Sequence, residues 1–252
     1  MMKRDTAWNE SAEWYAEHLR GADTYQAKVI LPNLLRLMDV KSGEAILDVG
    51  CGDGFFTREF FGKTGSAVGV DLSRELILRA KAESPKEIQY HVSSGHAMPF
   101  LQAGTFSKAV MVHALQNIED VHGTLAECAR VLRPQGSLFV VVNHPAFRVP
   151  KASSWGWDVE EKKQYRRIDH YLSESKVKIQ MHPGDAPEEY TISFHRPLQY
   201  YFKAFLKAGF AVARLEEWIS HRKSQKGPRA EAEDVARKEI PLFMCLEAVK
   251  NR

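Results

Sequence analysis

Ala45-Ile46-Leu47-Asp48-Val49-Gly50-Cys51-Gly52-Asp53-Gly54 is the stretch on which the fold turns. A short apolar run ends in glycines, and Phe55-Phe56-Thr57 then open a helical pattern, so the segment reads as strand, tight turn, helix. Glycines at such a turn let the main chain approach a ligand at the amino end of the helix. The dinucleotide fingerprint G-x-G-x-x-G needs a glycine at the sixth position from Gly50. Phe55 stands there, and the third glycine comes one residue early at Gly54. A phosphate loop needs Lys-Ser or Lys-Thr after its last glycine, where this chain has Phe55-Phe56. Neither NAD binding nor nucleoside triphosphate hydrolysis is indicated. Twenty-one residues beyond Gly50, Asp71 ends the second β-type run, where a carboxylate accepts hydrogen bonds from both hydroxyls of a ribose. A nucleoside without phosphates fits best.

Working outward, Val68-Gly69-Val70, Ile88–Val92, Ala109–Val112 and Leu138–Val142 read as further strands, with helices over Thr57–Phe61, Arg74–Ala82 and His122–Leu132 between them. This alternation is the signature of βαβ units around a parallel sheet. Leu125, Cys128, Val131 and Leu132 form the buried stripe of the last helix, and Arg133-Pro134-Gln135-Gly136 supplies a stop and turn. In front of this core, Trp8–Leu19 and Tyr25–Met38 read as two helices of a cap, the second entered or kinked at Pro32. Behind it, residues 144–196 break the alternation and read as an insertion or lid. A helix over Pro197–Ala208 with Gly209 as its stop, a strand over Ala211–Leu215, a charged surface loop and helix over 221–237 and a final run Leu242–Leu246 complete the pattern. The expectation is a single α/β domain over 1–252, with a cap (1–43), a ligand-binding core (44–143), a lid (144–196) and the rest of the core (197–252). It would hold a Rossmann-like, seven-stranded mixed sheet with helices on both faces.

Composition bounds the function. The chain has 252 residues, 44% hydrophobic and 27% charged, which are ordinary globular values. A net charge of +3 is too small to argue for nucleic acid or an anionic membrane surface. Three cysteines, Cys51, Cys128 and Cys245, are widely spaced and form no CxxC pair; read as free thiols they indicate a reducing compartment. The amino terminus carries no apolar run of a secretory signal, and no stretch approaches a membrane span. The expected location is the cytoplasm. Scattered His and Asp residues make no metal site.

Five motifs, in order, resemble the class I S-adenosylmethionine-dependent methyltransferases. Asp48–Gly54 looks like their first motif, Val70-Asp71-Leu72-Ser73 like the acidic end of their second strand, and Ser94-Gly95-His96-Ala97-Met98-Pro99-Phe100 like their adenine-binding loop. Arg130–Gly136 resembles the turn into their fifth strand, and Leu206-Lys207-Ala208-Gly209-Phe210 the entry to their sixth. The resemblance implies S-adenosyl-L-methionine as cofactor. Gly50, Cys51 and Gly52 would lie against its methionine part, Asp48 would orient its amino group, and Asp71, with Leu72 beside it, would hold the ribose. Ser94, Gly95 and His96 would meet the adenine. The family usually carries an aspartate where Ser94 stands, and a second glycine where Gln135 stands.

On the substrate side, reacting groups in an open α/β sheet gather beyond the carboxyl ends of the strands. That rule selects His113 after the fourth strand and His144 after the fifth, with His113 lining the cofactor pocket and His144, before Pro145, as the candidate base. His182 and His195 are further lid candidates. Trp155, Trp157, Tyr165 and Tyr171 are candidates for a wall over the methyl group, suited to an aromatic or amine acceptor. Arg167, with Arg166, is a candidate carboxylate clamp. Residues 148–196 hold nine Lys or Arg against eight Asp or Glu, a net +1, so no strongly anionic acceptor is indicated. The function implied is methyl transfer to a small-molecule acceptor. The alternatives are a non-catalytic S-adenosylmethionine-binding sensor or scaffold, a different reaction on the same cofactor, and a nucleic-acid or protein methyltransferase. His113-Ala114-Leu115-Gln116 does not match the Asn-Pro-Pro-aromatic run of some base-modifying enzymes. Oligomeric state is not legible.

Overall fold

The first glycine turn joins β1 to a helix as the sequence predicts, and the remaining elements follow from it. The computed structural model describes residue 8, residue 21 and residues 23–182 and 186–251. In chain order the elements are α1 (Leu31–Met38), β1 (Ile46–Val49), α2 (Phe55–Thr64), β2 (Ala67–Asp71), α3 (Arg74–Ala82), β3 (Gln89–Val92), β4 (Phe106–Val112), α4 (Val121–Val131) and β5 (Leu132–Asn143). Then come β6 (Ser153–Asp158), β7 (Lys163–Ile168), β8 (Ser175–His182), β9 (Ala186–His195), α5 (Leu198–Lys207), β10 (Phe210–Trp218), α6 (Ala230–Glu239) and β11 (Phe243–Lys250). Seven of the strands form one sheet in the order β3-β2-β1-β4-β5-β11-β10. The first five are parallel, and β11 runs antiparallel to both β5 and β10.

Side-chain alternation along each strand divides the apolar residues between two faces. Leu138, Val140 and Val142 of β5 pack with Leu125, Cys128 and Val131 of α4 and with Tyr201, Ala204 and Phe205 of α5. Phe139 and Val141, on the other face, pack with Leu34, Leu37 and Met38 of α1 and Phe56 and Phe60 of α2. Because both faces are covered, the central strands are apolar nearly throughout, as a buried parallel sheet requires.

Two expectations need correction. The helix over Tyr25–Met38 is instead a π-helical turn, Gln26–Ile30, running into α1, with Pro32 in the first helical turn, where its missing N–H costs no hydrogen bond. The turn at Arg133–Gly136 is absorbed into β5, with Gln135 in the left-handed region at φ +62°. The segment expected as an insertion or lid after the fifth strand holds two antiparallel hairpins, β6–β7 and β8–β9, between β5 and α5. The helix expected over Trp8–Leu19 lies, apart from Trp8, outside the described residues. All three cysteines are free and buried.

Candidate active site

The carboxyl ends of β1, β2 and β4 converge on a cavity of about 610 Å³. Gly50 and Gly52 form its floor with φ of +76° and +56°, a region open to glycine at no steric cost. A Cβ added at Gly50 would overlap the side chain of Ala114, so the β1 turn seats directly against the segment after β4. Asp71 stands at the end of β2. Gly52 N–H donates to its Oδ2 at 2.9 Å and Ser73 N–H to its Oδ1 at 2.8 Å. Burial pushes this carboxyl upward, and the Ser73 and Gly52 N–H groups oppose the shift. Leu72 extends from this end into the cavity wall, and Ser94, Gly95 and His96 close the far side, with Ser94 Oγ 3.4 Å from His96 Nε2.

The residues present fit a nucleoside bearing an amino-acid tail. Each Asp71 oxygen takes one main-chain N–H, and a carboxylate oxygen has two lone-pair sites, which leaves acceptor capacity for a ribose diol. Leu72, Val49, Val70 and Ile118 provide apolar walls for a flat base.

A second cavity, of about 520 Å³, adjoins the first, and the two share Trp8, His113 and Asn117. Tyr25, Phe243, Ile179 and Val149 give it apolar surface; Gln116, Asn143, Arg148 and Arg166 give it polar groups. His113 is held at the junction with φ +54°, its N–H donating to Val141 O at 2.8 Å and its ring edge-on to Phe243. Burial pushes its pKa down to about 4, so the imidazole is neutral at pH 7.

Residues 47–140 match the family described as a methyltransferase domain. Over 114 residues the chain is 36% identical to a demethylmenaquinone methyltransferase of Tropheryma whipplei, covering 44% of this chain and 46% of that one. Over 101 residues it is 30% identical to a ubiquinone biosynthesis O-methyltransferase of Aromatoleum aromaticum, covering 39% and 43% respectively. The matches thus span about half the length of these relatives. Among solved structures, an S-adenosylmethionine-dependent methyltransferase from Mesorhizobium loti superimposes with a TM-score of 0.68 at 26% identity, covering 86% of this chain and 96% of that one. Residues 47–140 thus resemble a methyltransferase domain, and the fold is that of the S-adenosylmethionine-dependent methyltransferases.

In this methyltransferase fold, eight of the residues singled out from sequence line the first cavity: Gly50, Gly52, Asp71, Leu72, Ser94, Gly95, His96 and His113. Asp48 and Cys51 do not. Asp48 is buried beneath the glycine turn, where Thr57 Oγ1 donates to its Oδ2 at 2.7 Å, and burial raises its pKa to about 7. Cys51 turns its thiol away to pack with Ile77, Ala80, Ile88 and Tyr90, and contributes to the turn through its N–H bond to Val70 O.

His144 also needs correction, for it lines neither cavity. Ala146 N–H donates to its Nδ1 at 3.2 Å, so Nε2 carries the proton and donates to Glu217 Oε1 at 2.6 Å. With both nitrogens committed and the ring 2% exposed, it ties the end of β5 to β10. The aromatic wall fails in the same way, since none of its members reaches either cavity. Trp155 stacks under Arg166, Trp157 under Arg229, and Tyr165 covers the bare Gly156 across the hairpin. Tyr171 accepts the Leu198 N–H at its hydroxyl and, at its carbonyl, the bond from His195 Nε2. Arg167 points outward to Asp169, whereas its neighbour Arg166 points inward, as strand alternation demands. The side chain of His182 is outside the described residues.

Arg148, Gln116, Asn117 and Asn143 escaped the sequence reading. Gln116, Asn117 and Asn143 follow β4 or end β5, so the strand-end rule that selected His113 reaches them as well. Arg148 had no signal beyond lying in the first turn of the insertion.

Proposed function

We propose that this protein transfers the methyl group of S-adenosylmethionine to a small-molecule acceptor. The observation that carries the reading is the pair of adjoining cavities, one fitted to a nucleoside and the other lined by mixed apolar and polar side chains, with His113 at their junction. The names of the relatives, quinone-biosynthesis methyltransferases, support a small acceptor. When bound, the cofactor supplies a sulfonium-activated methyl group, and transfer forms a bond from the acceptor's lone pair to that carbon as the carbon–sulfur bond breaks. The task left to the protein is orientation and exclusion of water. Gly50 and Gly52 allow close main-chain approach, Asp71 anchors the ribose, and Ser94, Gly95 and His96 border the base. His113, neutral at pH 7, accepts a hydrogen bond from an acceptor O–H or N–H and so aims the reacting lone pair.

The first test is calorimetric titration of the full chain with S-adenosylmethionine and S-adenosylhomocysteine, with NAD as control. Binding of the two sulfur nucleosides alone is expected; a folded protein that binds neither refutes the reading. Turnover in a subsequent acceptor screen separates an enzyme from a cofactor sensor, and His113→Ala is expected to lower kcat at least tenfold with cofactor affinity little changed.

A further inference from the structure

The second cavity carries more positive charge than its insertion as a whole. Arg148, Lys151 and Arg166 line it, and among the described residues no Asp or Glu does. Elsewhere the arginines Arg36, Arg58, Arg130, Arg167, Arg214 and Arg237 each stand within 4 Å of a carboxylate. Arg148 has no such partner among the described residues, although it is only partly exposed and has Arg166 as a like-charged neighbour. Two cations held together at a desolvated wall cost free energy unless an anion joins them.

Arg166 is also pre-oriented. Its Nε donates to Phe147 O at 2.8 Å, its Nη2 donates to Ser153 Oγ at 2.8 Å, and its plane lies over Trp155. A guanidinium fixed at two nitrogens presents its remaining donors in a set direction, which suits an oxygen anion better than a mobile ammonium would. Burial and the charge of Arg166 push Arg148 down to about 10, which still leaves it protonated at pH 7. The near-neutral total over residues 148–196 hides this, because Glu160, Glu161 and Asp169 sit on the outward side of the β6–β7 hairpin or at its end, away from the cavity.

We propose that the acceptor carries an oxyanion, a carboxylate or a phosphate monoester, gripped by Arg148 and Arg166 in the cavity that His113 joins to the cofactor site. The inference rests on the methyltransferase reading. It replaces the expectation, drawn from net charge, that no strongly anionic acceptor is indicated.

The test uses probes of one size and different charge. The full chain, saturated with S-adenosylhomocysteine, is titrated calorimetrically with benzoate, phenyl phosphate and benzamide. At least one anion should bind tenfold or more tightly than benzamide, and the tighter anion tells carboxylate from phosphate. Arg148→Gln and Arg166→Gln should each weaken that anion at least tenfold and leave benzamide and S-adenosylhomocysteine unchanged, with Arg148→Lys recovering part of the loss. Benzamide binding as tightly as both anions, no anion binding at millimolar concentration, or anion affinity that survives in both Gln variants overturns the proposal. A wild-type chain that binds no S-adenosylhomocysteine yet prefers the anions refutes the methyltransferase reading alone.

Discussion

Two carboxylates at the ends of neighbouring strands illustrate how a side chain's surroundings, rather than its type, assign its work. Asp71 faces the cofactor cavity and Asp48 faces inward to Thr57. Asp71→Ala is expected to weaken S-adenosylmethionine binding at least tenfold, about 1.4 kcal/mol, with circular dichroism unchanged, as calorimetry can check. Asp48 makes a different prediction, about pH. Its folded pKa, raised to about 7, lies above the value near 3.8 of an unfolded chain, so the folded state holds the proton more tightly between those values. Asp48 therefore contributes stability that is fully present below about pH 3.8 and is lost as pH rises through 7. Asp48→Asn should remove that dependence: urea denaturation from pH 4 to 8 should show the variant gaining on the wild type as pH rises, by roughly 4 kcal/mol at most. His113 acts with the opposite sign. Its pKa is lowered to about 4, so its contribution is present above the usual histidine range and falls as pH drops towards 4.

Among the elements, the β8–β9 hairpin is tied to the cofactor site through one side chain just past its end. Arg196, 4% exposed, donates from Nη1 to Leu115 O and from Nη2 to Ile118 O and Glu119 O. The segment it holds contributes Ala114, Asn117, Ile118, Glu119 and Asp120 to the first cavity. Arg196→Met keeps the bulk and removes three charge-assisted hydrogen bonds to main-chain carbonyls, and is expected to cost about 2–3 kcal/mol in chemical denaturation. The same variant should weaken S-adenosylhomocysteine binding without any change to a residue that lines the cavity. An effect on stability alone would mean that the wall keeps its shape unaided. The sequence announced Arg196 only as one more cation of a mixed-charge stretch, because a bond to main-chain carbonyls leaves no pattern of partner residues to read.

For the whole molecule, ligand and fold are linked. A ligand that binds only the folded state at a hundred times its dissociation constant adds about 2.7 kcal/mol, which for a chain of this size is a rise of roughly 5–10 °C in Tm. S-adenosylhomocysteine is expected to produce such a shift in a thermal melt and NAD none. The strand ends, the glycine turn and Asp71 were legible in sequence because each is a local matter: a period of two, a φ that glycine adopts freely, a carboxylate at a strand's last residue. Helix α3 falls on the predicted residues, Arg74–Ala82, for the same reason. The acceptor side was not legible. Whether Arg166 or Arg167 faces the cavity depends on the register of a hairpin, and a shift of one residue would exchange them. Whether His113 or His144 faces a cavity depends on Glu217, 73 positions along the chain from His144, which claims the second ring. Sequence alone determined the sheet, the cofactor turn and its acidic end, since these are built by neighbours in the chain. Only the tertiary structure decided which cations and which histidine share the second cavity, since that choice is made by residues brought together from strands far apart in sequence.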